Sequence, residues 1–143
     1  MKHYMKTKFA IGCLVQWYEV DIIGEYIETL NEAIEQYDGE VIVDFTLCLN
    51  QDLEKCISEE QLNICEYTID TKLEISNFKT ITTTELVTIA DYRREFNDKY
   101  CESVDVLMWG ESDALIPKQT FNVLDNLHQM SLQNDNPKYL AFF

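Results

Sequence analysis

The chain has 143 residues, one domain's worth with room for a sizeable core, and 46% of them are apolar, the ordinary globular proportion. Its 26 Asp and Glu outnumber 11 Lys and Arg, for a formal net charge of -15. A body this acidic repels phosphate backbones and anionic bilayers, which argues against a nucleic-acid partner, and any anionic ligand must be received locally by a metal ion, an Arg or backbone N–H groups.

Residues 1–8 are basic but run into a short apolar stretch with no small-residue cleavage site, so no signal peptide is read. No stretch is long enough to span a membrane, and a cytoplasmic protein is expected. Phe9 to Tyr18 (FAIGCLVQWY) is a continuous apolar run, the pattern of a strand covered on both faces. Asp21 stands where an N-cap would, ahead of Ile22, Ile23, Tyr26, Ile27, Leu30, Ala33, Ile34 and Tyr37 at helical spacing. Glu25, Glu28, Glu32 and Glu35 form the solvated face, and Asp38-Gly39 supplies a stop with a residue free to take φ > 0. Val41 to Leu49 (VIVDFTLCL) is a second apolar strand, completing a βαβ unit.

From Asn50 to Thr71 the pattern predicts a short helix and an irregular segment, then a third strand over Leu73 to Thr82. Thr82-x-x-Glu85 has the form of a capping box opening a helix through Leu86, Ile89, Ala90, Phe96 and Tyr100. Val104 to Trp109 (VDVLMW) is a fourth strand broken by Gly110, and Pro117 is suited to begin a helix containing Phe121, Leu124 and Leu127. Lys138 to Phe143 (KYLAFF) reads as a fifth strand. The order β-α-β-β-α-β-α-β, without repeat or linker, predicts a single α/β domain over 1–143, a sandwich with a mainly parallel central sheet. The five cysteines are odd in number, form no Cys-x-x-Cys and are expected to be buried reduced thiols.

The segment with chemical content is Val104 to Pro117 (VDVLMWGESDALIP). An apolar strand delivers Glu111 and Asp113 to its carboxyl end, where open α/β sheets bind ligands. Two carboxylates at i, i+2 suit a hard divalent cation that keeps positions for phosphate oxygens. The layout of an apolar run, an acid-x-Asp, two apolar residues and Pro resembles the Asp-x-Asp motif of GT-A-type, family-2-like glycosyltransferases. The resemblance extends to Val15 to Glu19 (VQWYE) beside the base, with Gln16 where the family often has Pro. It extends also to Ala90 to Asn97 (ADYRREFN), which is similar to the family's Ala-x-Arg-Asn helix with the Asn displaced.

The resemblance implies a GT-A, Rossmann-like α/β/α fold. Asp113 and Glu111 would hold Mn²⁺ or Mg²⁺, with Glu111 also facing the ribose. Gln16, Tyr18, Glu19, Asp44 and Arg94 would line the nucleoside diphosphate sugar, UDP- or GDP-linked, with Arg93 as the alternative to Arg94. Asp44, or less favourably Asn50, stands in for the acidic motif that usually follows the second strand. Family members are longer and carry the acceptor pocket and catalytic base in their second half, so the expectation is a domain incomplete at its C-terminus that binds donor more securely than it turns over. Tyr18, Trp17 and Trp109 are candidates for stacking on a base or sugar, with core positions the commoner use of such aromatics. No catalytic residue or acceptor is assigned. Two other readings stand beside this one: a catalytically idle relative acting as an assembly piece, and a small acidic interaction protein that mimics nucleic acid.

Overall fold

The computed structural model describes residues 5–19, 21–50, 63, 77–83 and 88–134. Strand β1 (Phe9–Gln16) runs through a 3₁₀ turn (Trp17–Glu19) into helix α1 (Ile23–Glu35) and strand β2 (Val41–Asn50). Strand β3 (Asn77–Thr83), helix α2 (Ile89–Tyr100), strand β4 (Val106–Gly110) and helix α3 (Thr120–Gln133) follow. The strands form one sheet in the order β3-β2-β1-β4, and every neighbouring pair is parallel. The described residues thus form an α/β domain with an open parallel sheet, compatible with a Rossmann-like fold.

β1 is apolar along its length because both its faces are covered. Phe9, Ile11, Cys13 and Val15 pack with Tyr26, Ile27 and Leu30 of α1 and with Phe121 and Leu124 of α3. Ala10 and Leu14 meet Tyr92, Phe96 and Tyr100 of α2 on the opposite face. Each fully buried large apolar side chain contributes roughly 1.5–3 kcal/mol, so this strand is the thermodynamic centre of the fold. From β1 to β2 the chain steps one way with α1 on one face. From β3 to β4 it steps the other way with α2 on the opposite face, so both crossovers share one hand.

α2 docks through Tyr92, Phe96 and Tyr100, spaced four apart, against the small residues Ala10 and Gly12. The Asp44 carboxylate, buried on β2, accepts hydrogen bonds from Tyr92 Oη at 2.8 Å and Tyr100 Oη at 2.7 Å, with Lys99 Nζ at 3.8 Å. Burial and the Asp44 charge push both phenols far above their ordinary range. α3 is tied to the entry of β1: Asp125 Oδ1 accepts from Thr7 N at 3.1 Å and Thr7 Oγ1 at 2.6 Å.

Element boundaries differ from the sequence expectation in four places. Asp21 lies in the turn, and Ile22, whose side chain has no acceptor, occupies the cap position of α1 without a side-chain cap, its own N–H donating to the Glu19 carbonyl at 3.1 Å. Gly39 is not in a left-handed conformation; the Tyr37 ring lies where its Cβ would stand. Thr82 belongs to β3, and α2 opens instead at Thr88, whose Oγ1 accepts from Asp91 N at 3.1 Å. Pro117 stands before α3, its carbonyl accepting from Thr120 N and Oγ1. Leu127 is exposed, since His128 and Asp125 take the inward positions with Phe121 and Leu124. Cys13 and Cys48 are buried as expected, whereas Cys101 is exposed.

Apart from Asn63, the segment after Asn50 expected to hold a short helix and an irregular stretch lies outside the described residues, as do the beginning of the third strand, Glu85 of the capping box, Cys56, Cys65 and the fifth strand over 138–143. No helix among the described residues is long and apolar enough to cross a membrane.

Candidate functional site

β1 and β4 are neighbours although the chain reaches β4 last of the described strands, so strand order reverses between them. Such a switch point leaves a crevice outside the carboxyl ends of the strands. A cleft of about 530 Å³ opens there. The end of β1 and its 3₁₀ turn contribute Leu14, Gln16, Tyr18 and Glu19; the loop after β4 contributes Glu111, Ser112 and Asp113; the N-terminus of α2 contributes Thr88 and Ile89.

Each wall is held by local bonds. Gln16 N donates to Glu19 Oε2 at 2.7 Å, folding the Glu19 side chain back over the turn. The Glu111 carbonyl accepts from Ala114 N at 2.9 Å, closing the turn that carries the three residues. Ile116 N donates to Thr29 Oγ1 at 3.1 Å, and the buried Ile116 side chain pins the same loop to α1. Gly110 has to be glycine, because a Cβ there would collide with the Tyr26 hydroxyl. Thr88 and Asp91 cap α2 reciprocally, Thr88 Oγ1 also donating to Asp91 Oδ2 at 2.8 Å.

The cleft is acidic. Among the described residues no Lys or Arg lines it. Burial first, and then the charges of Glu19, Glu111 and Asp113, push the Cys13 thiol far above its usual range, which marks a protonated, inert thiol rather than a nucleophile. Glu111 Oε1 pairs with Arg93 Nη2 at 3.0 Å, and the Arg93 guanidinium lies 4.7 Å over the Trp109 ring. Trp109 Nε1 in turn donates to Asn97 Oδ1 at 3.0 Å, so this half-exposed ring is engaged on the α2 side rather than in the core. Ser112 is 3% exposed and its Oγ has no hydrogen-bond partner among the described residues.

Five residues singled out from the sequence, Gln16, Tyr18, Glu19, Glu111 and Asp113, come together in this cleft. Tyr18 is 64% exposed there, not a core aromatic. Asp44 is not among them: it pairs with Gly12 in mid-sheet, under α2, with its oxygens given to Tyr92 and Tyr100. Arg94 is exposed and pairs with Asp91 at 3.9 Å; it is Arg93 that reaches the end of β4. Leu14, Thr88 and Ile89 are the cleft residues that sequence reasoning passed over, while Ser112 lies inside the Glu111-Ser112-Asp113 segment it singled out. Thr88-x-x-Asp91 carried a usable signal, since it matches the same capping pattern as Thr82-x-x-Glu85.

A divalent cation fits this site in one form. Among the described residues no group of three or more His, Cys, Asp or Glu is placed to hold a metal ion. Glu111 and Asp113 therefore give it two carboxylates at most, and Glu111 already shares one oxygen with Arg93. Mg²⁺-like ions are often bound by one or two carboxylates completed by water and substrate phosphates, and the donor set suits a cation that arrives with its ligand.

The fold and this cleft define an open parallel α/β domain with a switch-point cleft. No known protein family, curated protein or solved structure matches the chain.

Proposed function

We propose that the cleft binds a nucleoside diphosphate sugar together with Mn²⁺ or Mg²⁺, as the donor site of a GT-A-type glycosyltransferase. The observation that carries this reading is that Glu111 and Asp113, leaving β4, share one cleft with Tyr18 and Glu19, leaving β1. Asp113 offers hard oxygen ligands, and Glu111 adds a second carboxylate once Arg93 yields or shares it. The exposed Tyr18 ring offers a stacking face for a base or sugar. A cation bound here would offset the charge that develops on a departing diphosphate. Such an ion is also what lets a protein of charge -15 receive an anion.

Calorimetric titration with UDP- and GDP-sugars, with and without Mn²⁺, tests the reading. Binding is expected only with the metal, lost in Asp113→Asn and weakened less in Glu111→Gln. Equal affinity of the wild type and Asp113→Asn for Mn²⁺ with UDP or GDP would overturn it.

A second reading, a catalytically idle relative serving as an assembly piece, draws on the outer face of α3. Val123, Leu127 and Met130 are exposed there at i, i+4 and i+7, on a helix whose only charged residue, Asp125, is turned inward. A turnover assay with pooled donors and glycan acceptors separates the two.

A further inference from the structure

The carboxylates explain how a cation would be held, but not what would touch the anion it brings. Two features of the same cleft do. Helix α2 begins in it, with Thr88 and Ile89 on the lining. Thr88 takes two of the first-turn donors, Asp91 N through its Oγ1 and Tyr92 N through its carbonyl. The N–H groups of Ile89 and Ala90 have no acceptor within the helix, as at any helix start. The Asp91 carboxylate in this first turn accepts from the Thr88 hydroxyl and pairs with the exposed Arg94 at 3.9 Å, which offsets part of its charge. The second feature is independent of the first. Ser112, between the two acids, is buried yet its Oγ has no partner among the described residues. A hydroxyl left in that state costs free energy unless a ligand or water completes it.

We infer that the N-terminus of α2 and the Ser112 hydroxyl form the anion-receiving wall of the cleft, taking a phosphate of a cation-bridged diphosphate. This rests on the donor-site reading above and assigns its phosphate contacts to Ile89 N, Ala90 N and Ser112 Oγ. The cleft is then dipolar: carboxylates from the ends of β1 and β4 face the cation, and N–H and O–H donors face the phosphate. An anion without a cation is repelled by Glu19, Glu111 and Asp113, so the two bind together or not at all.

Two substitutions test the wall without touching the carboxylates. Ile89→Pro removes one N–H at the first helical position, where Pro is at home, and Thr88 before it is already extended (φ -79°, ψ 153°), as a residue preceding Pro must be. Ser112→Ala removes the partnerless hydroxyl and leaves the apo protein at least as stable as the wild type.

Titrations of each with Mn²⁺ and UDP, and with Mn²⁺ and pyrophosphate, are expected to show affinity lowered roughly tenfold, the loss of one hydrogen bond to a charged group. Wild-type affinity in both variants for the Mn²⁺ complexes would overturn the inference and leave the donor-site reading standing. Wild-type binding of Mn²⁺-pyrophosphate but not Mn²⁺-UDP, lost in the variants, would uphold the wall and remove the nucleotide. A wild type that binds neither overturns both. Should Ile89→Pro unfold, seen by circular dichroism, Ser112→Ala decides alone: a higher or equal melting temperature with weaker binding supports the wall, and unchanged binding refutes it.

Discussion

Gly12 lies in mid-β1 beneath α2, and a Cβ there would stand 2.6 Å from the Phe96 ring and 2.8 Å from Tyr92 Oη. Neither ring has room to retreat, since Tyr92 Oη is bonded to Asp44 and Phe96 packs on Tyr100 at 5.1 Å between centroids. Gly12→Ala is therefore expected to destabilise the fold by about 1–3 kcal/mol in urea titration, the usual cost of overpacking. Asp125 gives a prediction in pH. Burial opposes its charge, but hydrogen bonds from Thr7 and Gln129 and the nearby Lys6 ammonium together hold its carboxyl below the ordinary range. A carboxyl lowered in the folded state stabilises above its unfolded pKa, about 3.9, and that contribution is lost as pH falls through the folded value. The melting-temperature gap between the wild type and Asp125→Asn should thus be steady near neutral pH and close below about pH 4. A gap that stays constant down to pH 2 would show that Asp125 acts without its charge. Thiol chemistry follows burial. Iodoacetamide on the native protein should label Cys101 and spare Cys13 and Cys48, as peptide mapping would read.

α2 is the element on which the cleft depends, and it is held by few apolar contacts. Apart from Tyr92, Phe96 and Tyr100 its side chains are at or near the surface, so the paired phenols on Asp44 carry much of its docking. Asp44→Ala removes the carboxylate from both phenols, leaving Tyr92 Oη only the backbone carbonyl of residue 44 at 3.4 Å and Tyr100 Oη without that acceptor, and is expected to cost about 2–3 kcal/mol, with amide exchange accelerating in α2 before α1. Unchanged exchange in α2 would show that the rings alone suffice. The same residue marks where the sequence stopped being legible. β1, α1, β2 and β4 could be read because burial on both faces, or on one helical stripe, leaves a local apolar signature. The turn after β4 could be read because two acids stand directly behind such a run. The partners of Asp44 come 48 and 56 residues later, so nothing near it distinguishes an anchor from a ligand. Helix starts failed for a related reason: short capping patterns are more numerous than helices, and Asp21, Thr82 and Pro117 each matched one without being used. On α3 the outward Leu127 and the inward Asp125 and His128 exchange the roles that hydropathy assigns, because the Asp125 carboxylate accepts hydrogen bonds from a strand entry 118 positions away.

At the scale of the whole molecule the excess of acids opposes compaction. Raising NaCl from about 0.01 M to about 0.15 M shortens the screening length from about 30 Å to about 8 Å. The melting temperature should rise over that interval, and a fall would mean that the ion pairs outweigh the general repulsion. The sheet order bears on synthesis as well. Lys8 N bonds Asp105 Oδ2 at 2.8 Å across 97 positions, and the pairing of β1 with β4 begins from that clasp. A ribosome adding about 5–20 residues per second needs roughly 5–20 s to cover the interval. During that time the βαβ unit of β1, α1 and β2 is already made, while the second edge of β1 has no strand to meet. Strand β1, buried along its length, is then half paired in the nascent polypeptide, open to other unfinished chains or to a chaperone, until β4 emerges and closes it.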